Sequence, residues 1–304
     1  MSRTLVLFAA LLPLAGCTAI PQAAPRQPAA TPAPPPVPVT RATERPERTR
    51  FSFEGALQQG GVVVGTAPSN TVALFLDGNP VPLSTGERFL IGFDRDAAPT
   101  ARLSARLADG RTVNQTLTVA PRAWRIEHVN IARGTSRPSP EYQRIRAAEV
   151  AQIEAARAVD SPVNGWLQRF SWPVTGRISG VFGSQRIYRG EPGSYHGGVD
   201  VARPTGTPVT APADGVVVLA AASPFSLEGN LLIVDHGMGL NSAFLHLSRI
   251  DVKVGDRVGR GQLLGAIGTT GRSTGPHLHW ALKWRDARVD PQLLVGPMEE
   301  RSGS

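Results

Sequence analysis

From Phe51 onward the apolar residues come in short runs, each closed by a glycine, a proline or an Asp-Gly pair. Runs of that length suit strands rather than buried helices, so the chain is expected to be mostly β. Gly61–Gly65, Val72–Leu76, Arg88–Gly92, Leu103–Leu107, Val113–Val119 and Trp124–Ile131 read as strands. Asp77-Gly78-Asn79 and Asp109-Gly110 separate pairs of them, and Asp-Gly accepts the positive φ that a tight hairpin needs. The spacing predicts a small antiparallel sandwich, immunoglobulin-like in outline, over 49–133. Nothing in it carries recognisable chemistry, and its one histidine, His128, reads as structural.

One segment breaks the pattern. Ser139-Pro140-Glu141 is a helix start, with Ser as the cap, Pro at the first helical position and an acid in the first turn. The helix predicted over 138–160 has only a weakly apolar stripe, formed by Tyr142, Ile145, Glu149, Ile153 and Ala156, and reads as a connector. Short strands return after Phe170, at Arg177–Gly183, Gly215–Leu219, Leu231–Asp235, Asn241–Leu247 and Leu263–Ile267. They define a second β-rich domain over 164–295, followed by a tail over 296–304.

This second domain holds five of the six histidines. His277 and His279 stand two apart in Gly-Pro-His-Leu-His-Trp, so on a strand both imidazoles leave one face. His196 and Asp200 also have an even spacing, and His246 interrupts the apolar run Phe244-Leu-His-Leu. Paired imidazoles on a sheet face suggest a metal site, although a pair on a solvated strand could also arise by chance. Arg272-Ser273-Thr274 lies in a Gly-rich loop but lacks the Gly-Lys-Ser/Thr of a phosphate loop, and reads as groove wall.

The N-terminus has a different character. Arg3, the apolar run Leu5–Leu12 and Leu14-Ala15-Gly16-Cys17 fit a signal peptide over 1–16, and the run is too short to span a bilayer. The last four residues resemble a bacterial lipobox, which implies lipidation at Cys17. With Thr18 next, the resemblance points to the periplasmic face of the outer membrane if the source is Gram-negative. Cys17 is the only cysteine of the chain, which excludes an internal disulfide and a cysteine zinc site. The linker over 17–48 is rich in Pro, Ala, Thr and Arg and builds no core; as polyproline II, at about 3.1 Å per residue, its stretch from Pro21 to Pro46 would reach roughly 80 Å from a membrane anchor. The net charge of +8 suits a polyanionic surrounding such as cell wall. Its arginines are scattered and no nucleic-acid motif accompanies them, which argues against nucleic acid as a partner.

Taken together, His196-x-x-x-Asp200, Phe244-Leu-His246-Leu, Gly271-Arg-Ser-Thr-Gly-Pro-His277-Leu-His279 and Asp290-Pro291 resemble the lysostaphin-type (LytM) zinc metallopeptidases. The resemblance covers roughly Trp172 to Leu294. It implies one Zn²⁺ held by His196, Asp200 and His279, with His246 and His277 acting on the substrate. It also implies hydrolysis of peptide crosslinks in bacterial peptidoglycan, by metal-activated water, with stem peptides as the substrate and the membrane met through Cys17. Two imidazoles and a carboxylate agree with a catalytic site, which takes three N and O ligands and leaves a position open. The chain has Phe244 where the family often has a tyrosine, and either Tyr188 or Tyr195 could approach the groove. His236 reads as structural. Two other readings compete. One is a non-catalytic peptidoglycan-binding activator of other hydrolases, disfavoured because all five site residues are present. The other is a biotinyl or lipoyl carrier, suggested by Val254–Gly265 and disfavoured because no lysine sits at a hairpin tip there.

Overall fold

The computed structural model describes residues 47–132 and 138–298. The expected signal peptide, Cys17, all but the last residues of the linker and the end of the tail lie outside the described residues. Before the helix come β1 (Ser52–Gly55), β2 (Val62–Thr66), β3 (Thr71–Leu76), β4 (Asn79–Val81), β5 (Arg88–Gly92), β6 (Thr100–Leu107), β7 (Thr112–Thr118) and β8 (Ile126–Val129). Helix α1 (Pro140–Arg157) follows. Then come β9 (Arg177–Gly180), β10 (Gln185–Tyr188), β11 (Glu191–Pro192), β12 (Val199–Ala202), β13 (Pro208–Thr210), β14 (Gly215–Ala220), β15 (Asn230–Asp235), β16 (Leu240–Ile250), β17 (Arg257–Val258), β18 (Leu263–Ile267), β19 (His277–Trp284), β20 (Ala287–Val289) and a one-turn α2 (Gln292–Val295). The protein is mostly β, as its punctuation predicts.

Two antiparallel sheets, β1-β2-β5 and β4-β3-β6-β7, form the N-terminal sandwich. In β6 the period of two is direct: Ala101, Leu103, Ala105 and Leu107 are buried while Arg102 and Arg106 face water. Asp77 and Gly78 have φ of 48° and 83° and turn β3 into β4, as Asp-Gly requires. The stretch Trp124–Ile131 behaves differently from expectation. Its strand, β8, joins neither sandwich sheet and pairs in parallel with β10, so it belongs with the second half of the fold. Alternation alone does not reveal a strand's partner, which explains the difference.

Helix α1 begins where Ser139 predicts, with its Oγ accepting from the Tyr142 N–H at 3.1 Å. Its weak stripe is completed by polar contacts. Ile153 and Ala156 pack on Leu231, Ile233 and Ala243 of the large sheet, whereas buried Glu149 accepts from Ser226 and Arg146 forks onto Glu228 at 2.6 and 2.7 Å.

That large sheet runs β17-β14-β15-β16-β19-β12-β9, with β18 and β20 paired onto β16 and β19. Its two faces are set by β19. Leu278, Trp280, Leu282 and Trp284 turn into the core, and Trp280 meets Phe244 across the ladder with neither exposed. Burying each such ring contributes roughly 2–3 kcal/mol. His277, His279, Ala281 and Lys283 take the other face, which opens as a groove. Sandwich and sheet share one apolar core, and polar contacts join them. Arg122 pairs with buried Asp290 at 2.8 Å, Arg95 donates to the Gly183 carbonyl at 2.9 Å, and the Tyr195 hydroxyl donates to Asp94 at 2.8 Å.

His236 is structural in a measurable way. It is fully buried, lies 2.8 Å from both the Asp214 carbonyl and the Ser242 hydroxyl, and burial pushes its pKa down to about 4 against the pull of that carbonyl. The unfolded chain binds this proton from about pH 6.5 downward and the folded chain only from about pH 4. Stability is therefore full above pH 6.5 and falls across that window, by about 3 kcal/mol from this residue alone. Denaturant titrations between pH 7 and pH 4 should show the loss, and His236→Asn, less stable at pH 7, should show a flatter profile.

Candidate metal centre and its groove

Asp200 on β12 sits directly across the ladder from His279 on β19. Cross-strand partners have Cβ atoms about 5 Å apart, close enough for a carboxylate and an imidazole to converge. Asp200 Oδ1 lies 2.7 Å from His279 Nδ1. His196 arrives otherwise than its spacing suggests: it lies in the loop before β12, not on the strand with Asp200. Its backbone is pinned by two hydrogen bonds, His196 N–H to Ser184 O and Gly183 N–H to His196 O. From there Nε2 lies 3.0 Å from Asp200 Oδ1 and 3.1 Å from His279 Nδ1.

These three atoms suit a divalent cation. His196 Nδ1 lies 3.1 Å from the Val181 carbonyl, which can only accept, so in the neutral ring Nδ1 carries the proton and Nε2 aims a lone pair at the Asp200 carboxylate. A cation between them, or a second proton, removes that repulsion. Separations of 2.7–3.1 Å are somewhat under the roughly 3.4 Å edge of a tetrahedral zinc site with ligand bonds near 2.1 Å. The electrostatics agree. Desolvation would raise the Asp200 carboxyl, yet its contacts with the His196 and His279 imidazoles, attractive once either is protonated, hold it well below the usual carboxylate range. Burial works against protonation of His196, but Asp200 outweighs it and the pKa is raised; at His279 burial wins and the pKa is lowered. Close packing behind the carboxylate leaves no room for a side chain at position 180: a Cβ on Gly180 would stand 2.3 Å from Asp200 Oδ2.

His246 and His277 join the cluster from the side. Their ring centroids are 4.9 Å apart, and His246 is 6.4 Å from His279. Each has Nδ1 2.8 Å from a backbone carbonyl, Thr270 for His246 and Gly275 for His277. Both neutral rings therefore keep the proton on Nδ1 and leave Nε2 as an acceptor, with His277 Nε2 3.9 Å from Asp200 Oδ1. Burial lowers the His246 pKa, which favours its neutral, proton-accepting form.

The position of His246 depends on its backbone. Phe244 faces the core and Leu245 lies opposite His279, so strict alternation would turn His246 inward. Instead the ladder slips beside it and His246 takes φ of 63°, a left-handed conformation that costs about 1–2 kcal/mol in a non-glycine residue. Its N–H donates to the Glu228 carbonyl, in the loop that Arg146 and Glu149 of α1 hold.

Two clefts meet at His196. One, of about 530 Å³, runs between α1 and the open face of the sheet past His246 and His279; the other, of about 730 Å³, runs past Tyr188 and β8. Tyr195 and Arg272 line both, so the Gly-rich loop is groove wall, though the Tyr195 hydroxyl is engaged by Asp94. His236 and His128 lie apart from the cluster, and Phe244 is buried behind it. Sequence reasoning missed the carbonyls of Val181, Thr270 and Gly275 that orient the rings, since no side chain announces them. It also missed Lys283, which the period of two places on the same face as His279.

A profile of Peptidase family M23 matches residues 194–291, the span that holds all five of these side chains. The peptidoglycan DD-endopeptidase ShyA of Vibrio cholerae serotype O1 is 42% identical over 135 residues, 43% of this chain and 30% of that protein. The DD-carboxypeptidase/endopeptidase Mpg of Neisseria meningitidis serogroup B is 38% identical over 128 residues, 41% of this chain and 28% of that protein. The chain thus spans about 30% of the length of these curated relatives. A crystal structure from Pseudomonas aeruginosa assigned to peptidase M23 is 33% identical, covers 80% of this chain and 96% of that one, and superposes with a TM-score of 0.61. That match takes in nearly the whole of a relative, and within the profile span His196, Asp200 and His279 converge on one point; the chain belongs to peptidase family M23.

Proposed function

We propose that the protein is a zinc-dependent endopeptidase that hydrolyses peptide crosslinks of bacterial peptidoglycan. The observation that carries this reading is the division of labour among five side chains: three donor atoms within 3.1 Å of one another, and beside them two imidazoles whose Nε2 atoms are free to accept a proton. His196 through Nε2, Asp200 through Oδ1 and His279 through Nδ1 would hold the ion. Zinc in such a site acts as a Lewis acid toward a peptide carbonyl and brings the pKa of water toward 7. The remaining steps fall to the protein. His246, kept neutral by burial, accepts a proton at Nε2 while Thr270 fixes its ring. His277, whose Nδ1–H is held by the Gly275 carbonyl, presents a second Nε2 acceptor; having taken up a proton there, it would return that proton to the nitrogen that leaves as the bond breaks.

The activities named for ShyA and Mpg support a peptidoglycan substrate. The lipobox-like Leu14–Cys17 and the Pro-rich segment support export, and a lipid anchor from which the linker lets the domain reach the wall. Purified sacculi incubated with the zinc-loaded protein should release soluble muropeptides, and a chelator should abolish that release. Release that survives removal of the metal, or none with zinc present, would remove the reading in favour of a binding or activating role.

A further inference from the structure

Beyond the metal, the groove has a second chemical character. Lys283 shares the His279 face of β19, with small Ala281 between them and Ala243 beside it on β16, so a smooth floor leads from the metal centre to an ammonium about 13 Å further along the strand. Arg157, in the last turn of α1, overhangs the same cleft, and Arg288 closes it from β20 with its guanidinium 5.3 Å from the Tyr195 ring. Two of the three cations, Arg157 and Lys283, lack matching acids, while the Arg288 side chain meets the Tyr195 hydroxyl. Among the described residues Arg157 has no ion pair, and its buried Nε has no hydrogen-bond partner. Lys283 has only Asp286, fully exposed at 4.0 Å. Glu228 in the same cleft is occupied by Arg146, which leaves Glu154 at the rim as the remaining acid. Burial and mutual repulsion weaken the hold of Arg157 and Lys283 on their protons, as expected of charges gathered without counter-charge.

We infer that Arg157, Lys283 and Arg288 form a carboxylate-binding subsite that engages a free carboxylate of the peptide a few residues from the bond to be cut. A cluster of like charges next to a peptide-sized groove costs stability unless an anion completes it, and Arg157, which lines that groove, has a guanidinium nitrogen with no hydrogen-bond partner among the described residues. The inference rests on the endopeptidase reading for its ligand, since peptidoglycan stem peptides carry free carboxylates on their glutamate and diaminopimelate residues.

The test measures binding, so that turnover is not required. The zinc-loaded full chain carrying His246→Ala, so that ligand persists, is titrated with a synthetic crosslinked stem peptide and with versions amidated at the glutamate, at the diaminopimelate, or at both. The free acid should bind about tenfold more tightly than the double amide, and the single amides identify which carboxylate is held. Lys283→Met and Arg157→Gln should each remove most of that preference while leaving affinity for the double amide unchanged, and Lys283→Arg should restore it. Arg288→Gln, on the surface, serves if Arg157→Gln unfolds. Equal affinity for acid and double amide, or a preference that persists in the variants, overturns the subsite. Cleavage of acid and amide at equal efficiency by the protein with His246 intact would overturn it while sparing the endopeptidase, whereas selective binding without any cleavage would do the reverse.

Discussion

Asp200→Asn should release the metal. Asp200 Oδ1 is the atom shared by both imidazoles, at 3.0 Å from His196 and 2.7 Å from His279, and it is the only negative charge of the three. The amide keeps the shape but loses the charge that makes a cation welcome there. Complete four-ligand zinc sites bind with roughly 10–16 kcal/mol, so losing one ligand is expected to weaken binding by on the order of 10²–10³-fold or more. Zinc content after gel filtration, and chelator competition, measure this directly. A second readout is thermal: saturating zinc should raise the melting temperature of the unsubstituted protein and leave that of the variant unmoved. A variant that keeps one equivalent of zinc through dialysis would show that the ion sits elsewhere.

His246→Ala should do the opposite, keeping the metal and losing the chemistry. No atom of His246 belongs to the converging set, and its ring lies 6.4 Å from that of His279. Removing a general base costs about 10²–10⁴-fold in kcat, and KM should move little. The pH profile supplies the sharper check. Burial lowers the His246 pKa, so the proton-accepting form persists below the ordinary histidine value, and the acidic limb of kcat/KM should fall below about pH 6.5. In the variant that limb should disappear from the residual activity. Loss of zinc, or an unchanged acidic limb, would assign the base to another group.

Much of this molecule follows from local rules. Ser139-Pro140 starts α1 because a hydroxyl cap and a missing N–H suit a helix N-terminus wherever they occur. Asp77-Gly78 makes its hairpin for a similarly local reason. Other features were not legible. Nothing local says that β8 pairs with β10 rather than with the sandwich, or that a helix with so few apolar residues would be held by Arg146 and Glu149 on the loop beneath His246. Those contacts join residues far apart in the chain.

The metal centre divides along the same line. Period two puts His277, His279 and Lys283 on one face of a strand, and the sequence alone determines this because side chains alternate whatever the strand pairs with. Register is not local. That Asp200 stands across from His279, that His196 reaches both from a loop, and that His246 turns against its alternation through a left-handed φ were decided only by the tertiary structure. Strand pairing and backbone strain are fixed by the summed burial of the whole sheet, and no short window of residues contains that sum.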